Sequence, residues 1–150
     1  MSLANSKIRK IVLVEHEGLR ISLNAVGALL DQVGAGNREA AQSAKTQLNE
    51  LLTTFLRHIE HEERILEPVL AEVDAWGPQR KKAMDEEHAL QRAQITRLAS
   101  LDPLADPKRW VSEVKAFTSE LLVDMADEEK TCLSPNVLRD DVVVVDGSSE

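Results

Sequence analysis

The sequence predicts an all-α fold, an up-down-up-down four-helix bundle. Three observations carry this. The composition is rich in Ala, Leu, Glu, Arg and Gln, with aromatics at 3% and no Tyr, which favours helix over sheet. Apolar residues recur at helical spacing over long stretches. Three short breaks divide those stretches, and short breaks between long amphipathic helices make antiparallel neighbours. At 150 residues, 43% of them hydrophobic, the chain suits one domain with a single sizeable core.

The first helix is expected over about residues 7 to 33. Val12, His16, Leu19, Leu23, Val26 and Leu30 form one stripe on it. Gly34-Ala35-Gly36-Asn37 ends it, with Asn37 as cap of the next helix. The second helix is expected over about 38 to 74, on Leu48, Leu51, Leu52, Phe55, Ile59, Leu66, Val69 and Leu70. Pro68 lies inside that pattern. Because Val69, Leu70 and Val73 continue the stripe, Pro68 predicts a kink rather than a stop. Trp76-Gly77-Pro78 is the second break, and Trp76 and Trp110 read as packing residues near helix ends. The third helix spans about 79 to 100, with Met84, His88, Ile95 and Leu98 inward. The fourth starts on the cap Asp106 with Pro107 in its first turn and runs to about Cys132, with Val114, Phe117, Leu121 and Met125 inward. The domain is therefore expected over 1–136. Residues 137–150 read as a partly disordered tail, including the run Val142 to Val145 and the polar end Gly147 to Glu150.

Charge and cysteine count exclude several functions. The net charge of −8 disfavours nucleic acid and anionic membrane as partners. Cys132 is the single cysteine, so neither an intramolecular disulfide nor a multi-cysteine zinc site is available. No apolar stretch reaches the roughly 20 residues needed to span a bilayer, and Met1 to Lys10 lacks the apolar core of a secretory signal. The expected location is the cytoplasm. A surface stripe on a long helix permits a homodimer.

The chain has four histidines, His16, His58, His61 and His88, and three of them stand on three different helices beside apolar stripes. A buried imidazole among leucines needs a hydrogen-bond partner or a metal. Helix rise tests whether these residues can meet. His16 stands roughly 26 Å from the first break and His58 roughly 30 Å from it, nearly the same height. His88 and Glu62 stand roughly 15 and 18 Å from the second break. The same level on the fourth helix falls around Asp124 to Glu128. His58 and Glu62 are four apart, as are Asp124 and Glu128, so each pair projects from one side of its helix. Glu15-His16 is echoed by Glu87-His88. The chain thus reads as two helical hairpins with two metal half-sites. Two close transition ions need carboxylates to offset their repulsion and imidazoles to set affinity and potential.

The order His16, then His58-x-x-x-Glu62, then Glu87-His88, then Glu128-Glu129 resembles the hemerythrin-like, or HHE cation-binding, family, over about residues 8 to 136. A lone His-x-x-x-Glu is a weak signal. The ordered set in two hairpins is specific. The resemblance implies a four-helix bundle holding two non-haem iron ions that meet oxygen, peroxide or nitric oxide. It implies His16 and His58 as terminal ligands of one ion, His88 of the other, and Glu62 and Glu128 as bridges. Asp124 stands where the family has His, and Arg92 stands where oxygen carriers have a second His. A guanidinium stays protonated and does not ligate. Asp124 is a hard carboxylate that can ligate iron. The resemblance then favours binding or sensing over catalysis, with asymmetric occupancy. Two alternatives stay open: a single zinc, manganese or iron ion at His16, His58 and Glu62, or a degenerate bundle without metal that serves a partner. His61, Glu63 and Glu129 read as surface or ligand-orienting residues. Glu15, Glu17, Glu86 and Glu87 read as ordinary charged face.

Overall fold

A computed structural model describes residues 3–140. Among them are five helices and no strand: α1 (Asn5–Gly34), α2 (Arg38–Ile65), α3 (Glu67–Val73), α4 (Gly77–Ala99) and α5 (Pro107–Thr131). They form a helical bundle in which α1 packs on α2 and α5, and α3 packs on α4. The α1–α2 turn uses Gly36 at φ +90°, a left-handed conformation that glycine adopts without steric cost. Asn37 then caps α2 by accepting from the Ala40 amide at 3.0 Å. Asp106 caps α5 by accepting from the Arg109 amide at 3.2 Å, with Pro107 in the first turn.

The expected single kinked helix over 38–74 is two helices. Proline lacks the N–H and its ring crowds the carbonyl four residues back, so a helix cannot pass through position 68 undisturbed. The break falls at Leu66, whose amide still reaches the Glu62 carbonyl at 2.9 Å. Pro68 then occupies the first turn of α3, where no N–H is needed. The α3–α4 connection is tight. A Cβ on Gly77 would lie 2.1 Å from the Leu70 carbonyl oxygen, so only a glycine fits there. Trp110 is buried as expected, but Trp76 is 62% exposed on that connection.

The buried apolar residues fall into two clusters. The larger runs from Leu19 to Val33 on α1 and includes Leu48, Phe55 and Ile59 on α2, Ile95 and Leu98 on α4, and Val114, Leu121 and Met125 on α5. The smaller one joins Ile8, Val12, Leu66, Leu70, Met84, Cys132, Leu133 and Leu138. On each long helix a polar position separates the two: His16 between Val12 and Leu19, Glu62 between Ile59 and Leu66, His88 between Met84 and Ile95, and Glu128 between Met125 and Cys132. Of residues 137–150, the first four are described. Leu138 is buried, and the Asn5 side chain donates to the Arg139 carbonyl at 2.9 Å. The valine run and the polar end lie outside the described residues. Among the described residues, no helix is long and apolar enough to cross a membrane.

Candidate metal centre

The polar layer between the two apolar clusters is built from four helices. His16 comes from α1, His58 and Glu62 from α2, His88 from α4 and Glu128 from α5. Each sits at a position its helix turns inward, because it continues the apolar stripe on either side. His16, His58, Glu62 and His88 are all buried, and the Glu128 side chain is 10% exposed.

The three imidazoles share one orientation. Each turns Nε2 toward the centre of the layer and Nδ1 toward an outer carboxylate. His16 Nε2 lies 3.2 Å from Glu128 Oε1. His58 Nε2 and His88 Nε2 lie 3.0 and 3.3 Å from the same Glu62 oxygen, Oε1. On the outside, His16 Nδ1 meets Glu129 at 2.7 Å, His58 Nδ1 meets Glu15 at 2.9 Å and His88 Nδ1 meets Glu63 at 3.2 Å. The outer carboxylates are themselves held. Arg20 Nη2 donates to both Glu129 oxygens at 2.8 Å, and Arg92 donates to both Glu63 oxygens at 2.9 and 2.5 Å. Glu15 also meets His61 Nδ1 at 2.5 Å. A carboxylate on the far nitrogen fixes ring orientation and leaves the near lone pair for a metal.

Four residues bring ligand atoms to one point. One donor atom each from His16, His58, Glu62 and Glu128 lies within 4.8 Å of the others. With both carboxylates ionised, three atoms there, His16 Nε2, Glu62 Oε2 and Glu128 Oε1, are buried without a hydrogen bond. The His16–Glu128 approach is close but poorly aligned. Buried polar atoms normally find partners, and each one left without costs about 1–3 kcal/mol. Two imidazoles and two carboxylates are a donor set that suits a divalent cation, so these residues fit a bound metal.

Protonation supports the same reading. Burial alone would raise the Glu62 carboxyl, but Glu128, His58 and His88 around it hold it below the usual range. Burial, then the charge on Glu62, pushes Glu128 well above that range, so without a cation Glu128 is the protonated partner. Burial alone would lower His58, yet Glu15 and Glu62 push it up to about 9. Burial lowers His16 despite Glu129. The site therefore holds protons where a cation would sit, and ligation displaces them.

His88 gathers a second group. Glu63, Glu67 and His88 also bring ligand atoms within 4.8 Å of one another, with Glu67 Oε2 at 3.5 Å from His88 Nδ1. Glu67 is 2% exposed, and burial together with the Asp85 carboxylate pushes its carboxyl up to about 7. Asp124 stands outside both groups. It accepts from the buried Gln91 side chain at 3.2 Å and lies beside Glu87, whose carboxyl burial and the Asp124 charge push up to about 7.

Sequence reasoning put Glu15 and Glu87 on the charged face and did not single out Glu67 or Gln91. A signal existed for Glu67, the one charge in the run Ile65 to Leu70 apart from the proline break. For the outer carboxylates the signal was the doublets Glu15-His16, Glu62-Glu63 and Glu128-Glu129. Adjacent helix residues diverge by about 100°, so one member of a doublet enters the layer and the other reaches a neighbouring helix's imidazole.

Comparison with known proteins agrees with this geometry. The sequence matches the family description Hemerythrin HHE cation binding domain over residues 7–135. No curated protein and no solved structure matches. Matched over most of its length, and carrying a His/Glu cluster able to hold a cation, the chain belongs to the hemerythrin HHE cation-binding domain family.

Proposed function

We propose that this protein holds two iron ions in the polar layer of an up-down-up-down four-helix bundle and uses them to bind or sense oxygen, peroxide or nitric oxide. The observation that carries the reading is the shared orientation of the three imidazoles, Nε2 inward and Nδ1 on a carboxylate. In this reading His16 and His58 serve one ion, His88 serves the other, and Glu62 and Glu128 lie between them. Asp124 completes the His88 side as a fourth-helix carboxylate. The iron pair would supply an open coordination position and electrons for a small ligand. The residues themselves exclude water, through the apolar clusters above and below, and fix the rings through Glu129, Glu15 and Glu63.

A specific observation favours a second reading, a single ion. Four donors converge at His16, His58, Glu62 and Glu128, whereas His88 groups with Glu63 and Glu67. One iron, zinc or manganese ion would satisfy the first group alone. Elemental analysis after anaerobic ferrous loading and desalting separates the readings. Near two irons per chain is the expected result, falling toward one in Asp124→Ala. Near one in the wild type establishes the single site. Near zero, with zinc and manganese also absent, removes the metal reading.

A further inference from the structure

A groove with two unpaired arginines lies outside the metal layer. A solvent-open groove of about 670 Å³ runs between α1 and α2. On α2 its wall is Arg57, His61 and Arg64, spaced four and three residues apart and so on one helix face. On α1 its wall is Glu15, Gly18 and Ser22, spaced three and four apart. Gly18 leaves the middle of that wall open, since nothing lies within 4 Å of where a Cβ would stand.

The chemistry of the groove is a surplus of donors. Arg57 and Arg64 make no hydrogen bond or ion pair with any described residue. The Ser22 and Thr54 hydroxyls line the groove beside them. Of the two carboxylates there, Glu15 is already engaged by His58 and His61, which leaves Glu60 alone against two guanidiniums. Two unengaged arginines thus stand on one face of α2, seven residues apart, in a chain of net charge −8. Guanidinium forks and hydroxyls match the tetrahedral oxygens of phosphate, which Arg binds in bidentate fashion.

We propose that the α1–α2 groove is a binding site for a phosphate group, free or carried on a small ester, held by Arg57 and Arg64 with His61 between them. The ligand would sit one carboxylate away from the metal layer, because Glu15 joins His61 at 2.5 Å to the buried His58 at 2.9 Å. The site does not depend on the identity or number of the metal ions.

Calorimetric titration of the full chain at low ionic strength tests it, with inorganic phosphate and glycerol phosphate as probes and chloride as control. Low salt is needed because exposed charges are screened. Saturable binding of phosphate but not chloride is expected, weakened about tenfold or more in the double variant Arg57→Gln, Arg64→Gln. The variant Arg38→Gln, with an exposed guanidinium elsewhere, keeps wild-type affinity. Tighter inorganic phosphate identifies the free ion as the ligand, and tighter glycerol phosphate identifies an ester. No saturable heat with either probe overturns the proposal. Equal binding in the double variant also overturns it, because the anion is then held elsewhere, such as on a metal. Both arginines are exposed, so loss of fold is not expected. Unchanged metal content in the double variant separates this result from the fate of the metal reading.

Discussion

The two sides of the polar layer solve the same problem differently. On the His16–His58 side, three buried atoms converge and, with both carboxylates ionised, are left without hydrogen bonds. On the His88 side, Gln91 holds Asp124, Arg92 holds Glu63, and Glu87 lies against Asp124, while one buried atom, Glu67 Oε2, has no hydrogen bond. The first side offers a cation donor atoms that the ionised side chains leave unpartnered. The second satisfies most of its polar groups with its own side chains. A buried unpaired donor or acceptor persists only where a gain elsewhere offsets its cost of about 1–3 kcal/mol. Of the two, the His16–His58 side offers a cation more unpartnered donor atoms.

Glu62 belongs to both sides, since one of its oxygens meets His58 and His88. Its removal is the largest perturbation available. Glu62→Ala leaves a protonated His58 with Glu15 alone and should cost the metal-free protein about 3–5 kcal/mol. By denaturant titration that appears as a lower midpoint, and by melting as a fall of roughly 10 °C. A loss under about 1 kcal/mol would mean that the two imidazoles do not share this carboxylate.

The pH dependence is next in size. His58 is raised from 6.5 to about 9, so its contribution is fully present below about pH 6.5 and is lost as pH rises through about 9. Metal-free protein should therefore lose on the order of 3 kcal/mol across that window. His58→Gln should flatten the slope, whereas His16→Gln should not, because burial lowers rather than raises His16. Equal slopes in the two variants would erase the distinction between these rings.

The outer carboxylates give a smaller effect. Glu129→Gln removes the negative charge held against His16 Nδ1 and should weaken metal affinity about tenfold to a hundredfold, measured by competition with a chelator. Glu63→Gln should cost less, because Glu67 also stands at 3.5 Å from His88 Nδ1. A larger loss in Glu63→Gln would reverse the ranking of the two sides.

Much of this was legible in the sequence. The stripes of α1 and α5, the caps Asn37 and Asp106 and the alignment of His16, His58, Glu62 and His88 follow from periodicity and helix rise. The break at Leu66 was not legible as a break, because apolar residues continue on both sides of Pro68 and the stripe hides the change of direction. For Glu63 and Glu129 a ligand-orienting role was one of two readings and for Glu15 it was none, and which imidazole each one holds was not legible. Their partners lie on other helices, and the angle at which one helix faces another is set by packing.

Helicity, the ends of most helices, and the level at which the imidazoles and carboxylates stand follow from the order of residues alone. These depend on local propensity, capping and a fixed rise per residue. Which carboxylate holds which ring, which atoms are left without partners, and the opening of a groove beside Arg57 and Arg64 come from the packing of the helices. Those depend on distances between helices, and a difference of one ångström separates a hydrogen bond from none.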